Sequence, residues 1–230
     1  MSYSYVQWNT IEPHPGQFDF SGNNNVTAFI RMAQEEGLNI IVRVGPFIDA
    51  EVDMGGLPWW LLKDHANPKL RTMDPHWITA VDRYFNKLLP QLKPLLYHNG
   101  GPIIMVQVEN EFGSFTPECS HLDYKEYMRD LVKKLLGNEV VLFTTDGNGD
   151  GYLKCGTIPG VFATSDYGAG TDVHKAIATL RKYQPHGPIV NSEFYTGWLD
   201  HWQNKHAMVS SHAVATTLDQ MLAANMSVNM

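Results

Sequence analysis

The chain has 230 residues, 43% hydrophobic and 18% charged, an ordinary globular composition long enough for one large core. Its net charge of −7, with no basic cluster, argues against nucleic acid and anionic membrane surfaces as partners. No apolar run approaches the roughly 20 residues of a membrane span.

Short β-branched runs alternate with longer helical patterns. Residues 4–8, "SYVQW", predict a strand, and residues 26–37, "VTAFIRMAQEEG", a helix closed by glycine. "NIIVRV" (39–44) is a strand, and after a long loop residues 77–96 are helical, with Pro90 and Pro94 expected to disrupt the later turns. "PIIMVQV" (102–108) is the next strand. Residues 123–137 predict an amphipathic helix, with Asp123 capping its start and Gly137 its end. Strands at 140–145, 161–165 and 188–192 follow, and helices at 172–184 and 210–226 come after the last two. Six apolar strands, each followed by a crossover, make this an α/β chain with a parallel sheet, either doubly wound or a (β/α) barrel.

The polar residues favour the barrel. "NT", "DAE", "ENE", "TDG", "SDYG" and "SEFY" close the six strands in turn. Barrel active sites are built at the C-terminal ends of many strands at once, whereas a doubly wound sheet gathers its site at one switch point, usually beside a glycine-rich phosphate loop. No such loop is present.

Two of these strand ends carry the chemistry of interest, Glu111 in "VENEF" and Glu193 in "VNSEFY". Two carboxyl groups facing one pocket suit glycoside hydrolysis, in which one protonates the leaving oxygen and the other attacks or activates water. Such glutamates also occur as caps of backbone amides or partners of basic residues, and the pattern alone leaves both roles open. Glu109 alternates in phase with Glu111 and is expected to support rather than react, provided the strand stays regular. Asn110 then needs a bulge or twist to reach a pocket. Arg43, mid-strand, is expected to pair with one of these carboxylates, either in support of Glu193 or as a structural ion pair. The ten histidines show no metal-ligand spacing, and no metal or cofactor is expected. Asn25 in "NVT" and Asn225 in "NMS" stand in glycosylation sequons.

"GPFIDAEVDMGGLPWWLL", "GPIIMVQVENEFGSF" and "VNSEFYTGWLDHW" resemble the signature segments of glycoside hydrolase family 35, the eukaryotic acid β-galactosidases, and "YVQWNTIEPHPGQFDFSG" is similar to a further segment of the same family. The similarity runs in order over essentially the whole chain. It implies a retaining exo-β-galactosidase on a TIM barrel, acting on a β-galactoside without metal or cofactor. By the resemblance Glu111 is the acid/base, Glu193 the nucleophile, and Asn110 the group that bonds the sugar 2-hydroxyl. Tyr5, Ala50 and Glu51 map to the galactose pocket, Trp198 to an aromatic on the sugar face, and Tyr195 lies close enough to orient Glu193. Cys119 and Cys155 match a family disulfide which, with the two sequons, implies a secretory route and a lysosomal or secreted destination. Other exo-glycosidase specificities on this scaffold, such as β-glucosaminidase, and a non-catalytic remnant are the alternative readings.

Two departures stand out. Animal lysosomal members read Cys-Ala-Glu where this chain reads Asp49-Ala50-Glu51. The chain also resembles only a part, residues 1–230, of the family's catalytic barrel. By that comparison the first strand and helix, the eighth strand and the C-terminal β-domains are absent, and the isolated chain is expected to be poorly soluble or inactive.

Overall fold

The computed structural model describes residues 1–63, 68–116 and 118–230. In chain order the elements are β1 (Ser2–Tyr5), α1 (Trp8–Ile11), α2 (Val26–Glu35), β2 (Ile40–Arg43), α3 (Pro75–Leu92), β3 (Ile103–Gln107), α4 (Phe112–Phe115), α5 (Leu122–Leu136), β4 (Leu142–Gly147), α6 (Asp150–Gly156), β5 (Phe162–Asp166), α7 (Val173–Tyr183), β6 (Val190–Glu193), α8 (Ser211–Ala223) and β7 (Val228–Asn229). Sheet order repeats sequence order, and every described pairing is parallel. A doubly wound sheet reverses its strand order at a switch point; this one does not, so the fold is of the TIM-barrel class, with seven strands among the described residues where a complete barrel has eight.

The expected count of six strands is thus corrected to seven. The additional strand lies in "SVNM", where Val228 and Asn229 pair in parallel with Val190 and Asn191. A two-residue strand carries no periodicity for a sequence pattern to detect. Near the start, "SYVQW" is extended only as far as Tyr5, and Trp8 opens helix α1 instead. Pro90 does not break α3, which carries it in its last turn and runs on to Leu92; Pro94 instead sits in the 3-10 turn Lys93–Leu95 that follows. Asp123 lies inside the first turn of α5, and His121 holds the N-cap position in left-handed conformation. Asp172 and Ser210 do cap α7 and α8, accepting from the amides of Lys175 (3.0 Å) and Ala213 (3.1 Å).

Two compact units divide the chain. The first comprises Met1–Asn110, His121–Thr144 and Ile158–Val161, and the second Glu111–Ser120, Thr145–Thr157 and Phe162–Met230. In the first, Trp8 is fully buried against Tyr84 (ring centroids 4.8 Å apart), Trp60 and Trp77 (both 5.8 Å). Its indole N–H donates to the buried Glu12 (2.7 Å), which pairs with Arg83 at 2.6 Å, so a polar atom is satisfied inside an aromatic core. In the second, α7 and α8 close over Tyr167, Val173, Ala176, Met221 and Met226, and Leu153, Ala163 and Leu180 form a neighbouring cluster.

Candidate active site

The end of β3 departs from a regular strand. Glu109 (φ +63°) and Glu111 (φ +43°) are both left-handed, so the period-2 alternation stops after Gln107. The expectation that Glu109 and Glu111 share a face through strand alternation does not hold, because two αL residues rotate the chain between them. In the first unit, Glu109 is 2% exposed and fully engaged. Arg71 donates to its Oε2 from Nε (3.1 Å) and Nη2 (2.6 Å), and Tyr124 donates to Oε1 (2.7 Å). Arg71 Nη2 also donates to the Asn110 carbonyl at 2.6 Å, and its guanidinium lies 4.3 Å from the Phe47 ring centroid. Burial, then the Glu109 charge, push the Tyr124 phenol well above its usual range.

The Asn110 side chain turns the other way. Gln107 Nε2 donates to Asn110 Oδ1 (3.0 Å) and to the Glu109 carbonyl (2.8 Å). Gln107 Oε1 accepts from Arg43 (3.2 Å), whose guanidinium also donates to the Tyr3 hydroxyl (3.1 Å) and the Ile48 carbonyl (2.7 Å) and lies 4.2 Å from the Tyr5 ring centroid. Arg43 and Asn110 are therefore joined through the buried Gln107, and the exposed Tyr5 ring lies against Arg43. Asp49, Ala50 and Glu51 follow as three successive left-handed residues (φ +56°, +57° and +51°), with Glu51 exposed and the other two half-buried. Each costs an L-residue about 1–2 kcal/mol. Five of the eleven non-glycine positive-φ residues among those described fall in "DAE" and "ENE". Backbone strain of this kind concentrates at functional sites.

The second unit holds both candidate catalytic carboxylates. The Glu111 amide donates to the Thr145 carbonyl (3.0 Å) at the end of β4, and α4 begins directly after Glu111. Glu193 ends β6, opposite Asp166 in the β5–β6 register. Asp166, 3% exposed, accepts a hydrogen bond from Tyr195 (2.7 Å) and is hydrogen-bonded to the Thr145 hydroxyl (3.1 Å). Burial first, then the charge of Glu111, with smaller effects from Glu193 and Asp146, push the Asp166 carboxyl well above the usual aspartate range; the Tyr195 hydrogen bond opposes them. Burial, then Asp166, Glu111 and Glu193, likewise raise the Tyr195 phenol. Hydrogen bonds and strand register thus gather Glu111, Asp166, Tyr195 and Glu193 into one cluster. The Trp198 and Tyr195 rings meet in a T-shaped arrangement (centroids 5.3 Å apart), and Trp198 is 60% exposed. Gly168 lets Tyr195 approach closely, since a Cβ there would lie 3.0 Å from that of Tyr195.

Cys119, in the loop after α4, and Cys155, in α6, form a disulfide. Asn25 caps α2, its Oδ1 accepting from the Ala28 amide and the Thr27 hydroxyl (both 3.0 Å), and Asn225 is exposed just beyond α8. Sequence reasoning missed Gln107, Arg71 and Asp166. For Asp166 the signal was present, since "SDYG" closes a strand as "ENE" and "SEFY" do. Arg71 lies in a loop 38 residues from its partner and gives no periodic sign. Among the described residues, no group of three or more His, Cys, Asp or Glu side chains is arranged to hold a metal ion.

Residues 2–230 match the family model of Glycosyl hydrolases family 35. The chain is 51% identical over 226 residues to a protein named beta-galactosidase from Mus musculus, covering 98% of this chain and 34% of that one. It is 48% identical over 227 residues to the beta-galactosidase of Homo sapiens, covering 99% of this chain and 33% of that one. It therefore spans about a third of the length of these curated relatives. Among solved structures, an exo-beta-1,4-mannosidase from Opitutaceae bacterium strain TAV5 superposes with a TM-score of 0.67 at 16% identity, over 99% of this chain and 44% of that one. Endo-glycoceramidase II from Rhodococcus sp. gives 0.57 at 12% identity, over 98% of this chain and 62% of that one. These two likenesses bear on the fold alone.

Proposed function

Because the chain belongs to glycosyl hydrolases family 35, we propose that it is part of a retaining exo-β-galactosidase that removes terminal β-linked galactose, with Glu111 as acid/base and Glu193 as nucleophile. The observation that carries this reading is the carboxylate cluster at the strand ends, in which the Glu111 amide bonds Thr145, Thr145 and Tyr195 both bond Asp166, and Asp166 stands opposite Glu193 in the β5–β6 register. Glu111 donates its proton to the glycosidic oxygen as the Glu193 carboxylate attacks the anomeric carbon, breaking the bond to the leaving group and forming a galactosyl ester. Glu111, now a carboxylate, takes a proton from water as that water attacks the same carbon and releases Glu193. The two displacements together retain configuration.

The remaining assignments follow the motifs. Asn110 is given the sugar 2-hydroxyl, an assignment supported by its side chain being held by Gln107 rather than by the Arg71 group. Tyr5, Ala50 and Glu51 are given the other hydroxyls, and Trp198 the apolar sugar face. Glu109 is assigned to anchoring the strand end, Arg43 to holding Gln107 and Tyr5 in place, and Tyr195 to the cluster around Glu193. The disulfide and the two sequons support passage through an oxidising secretory compartment to the lysosome or the exterior. Glycan attachment at Asn25 Nδ2 leaves the capping Oδ1 undisturbed.

The reading is tested with the complete protein on aryl β-galactoside and aryl β-glucosaminide, following the first-formed sugar by proton NMR. Preferential release of galactose as the β-anomer is expected; α-galactose, or preference for the glucosaminide, overturns it. Treatment of the secreted protein with an N-glycan-releasing enzyme is expected to lower its mass, and an unchanged mass contradicts the secretory assignment.

A further inference from the structure

Resting on the acid/base and nucleophile assignments above, we propose that Asp166 is a positioning residue that works as a neutral carboxylic acid, anchoring Tyr195 beside Glu111 and Glu193 without adding a negative charge there. Asp166 ends β5 and faces Glu193 across the β5–β6 pairing. It is 3% exposed, and both its oxygens meet hydroxyl groups, Tyr195 at 2.7 Å and Thr145 at 3.1 Å. Among the described residues no Lys, Arg or His forms an ion pair with it. The ionisable groups that bear on it from the packed elements are Glu111 before α4, Asp146 on β4, Glu193 on β6, and Tyr195. Three of these four are carboxyls. An ionised Asp166 would be a desolvated negative charge beside the Glu193 carboxylate with no ion-pair partner to offset it.

The hydroxyls around it can receive the proton. Thr145 Oγ1 is hydrogen-bonded to Ser192 Oγ, which has Thr164 Oγ1 (2.6 Å) and the Ser165 carbonyl (3.5 Å) on its far side. A protonated Oδ2 of Asp166 donates to Thr145, Thr145 donates to Ser192, and Ser192 has an acceptor beyond it. Oδ1 stays free to accept from Tyr195. Every hydrogen in the chain then has a destination, and Tyr195 is held by a group that contributes no field to the glutamate pair. The upward push of burial on the Asp166 carboxyl agrees with this geometry.

The test uses the complete protein with Asp166→Ala and Asp166→Asn. Alanine removes the anchor and is expected to lower kcat by about tenfold or more, in the usual range for a displaced catalytic group. Asparagine, the shape of the neutral acid, is expected to restore most of that loss and to leave the basic limb of the kcat/KM profile in place. If Asp166 is ionised at working pH, Asp166→Asn removes a negative charge beside Glu111 and shifts that limb down by roughly one pH unit, which overturns the proposal. An infrared difference spectrum of wild type minus Asp166→Asn at neutral pH, without substrate, should contain a protonated-carboxyl band. Its absence overturns the proposal whatever the kinetics. If no galactoside is cleaved, the functional reading falls, and the infrared band alone decides the charge state of Asp166.

Discussion

Glu109 has no capacity left for a substrate. Its two oxygens take four donors, two from Arg71, one from Tyr124 and one from the Asn110 amide, and it lies almost wholly out of solvent. A buried pair contributes little over an apolar replacement but costs much when one partner is removed. Arg71→Ala should therefore lower the free energy of unfolding by about 3–5 kcal/mol, read from urea denaturation; a loss below about 1 kcal/mol, the worth of an exposed pair, contradicts the structural role. Asp166 gives a pH-dependent counterpart. Its carboxyl is raised in the folded chain, so its stabilising share is whole below the ordinary aspartate value, near pH 4, and is lost as pH rises through the raised value. Asp166→Asn removes this loss. The melting temperature of the variant relative to wild type should climb as pH goes from about 4 toward neutrality, and a gap constant with pH contradicts it.

Among the elements, α4 and α6 show how closely the second unit is built around the carboxylate cluster. The Gly113 amide donates to Asp146 at 2.8 Å, and a Cβ on Gly113 would lie 2.0 Å from the Tyr152 carbonyl oxygen. That neighbour is backbone and cannot swing aside, so Gly113→Ala should lower stability by at least about 1–3 kcal/mol, seen as a fall in melting temperature; an unchanged melt contradicts the packing. The Cys119–Cys155 bridge joins the same region across 36 residues. Loop-closure entropy assigns it roughly 4 kcal/mol. Urea melts with and without reductant measure that difference directly, and coincident curves contradict a stabilising role.

At the same scale, the regular elements were legible and their irregular ends were not. Periodicity places α2, α7 and α8 within a few residues, because each has an amphipathic face and a capping side chain. It misses α1, α4 and α6, which are too short to show a helical period. It also misleads at "ENE". The alternation of Glu109 and Glu111 presumes a strand that in fact ends at Gln107, and left-handed non-glycine residues leave no mark in composition. Glu111 and Glu193 were legible because strand ends of a parallel sheet gather chemistry and because their flanking motifs are specific. Asp166 was visible by the first criterion only, and its role depends on Tyr195, 29 residues away.

Over the whole molecule, sequential parallel strands and the family match give this chain the barrel architecture of glycosyl hydrolases family 35. The central claim is that Glu193 attacks the sugar. The most direct measurement is intact-mass analysis of the complete protein after incubation with a 2-fluoro-galactosyl inactivator, followed by peptide mapping. One adduct per chain is expected, located on Glu193 and lost in Glu193→Gln. An adduct on any other carboxyl, Asp166 or Glu111 included, or none on a protein that still hydrolyses galactosides, would contradict it.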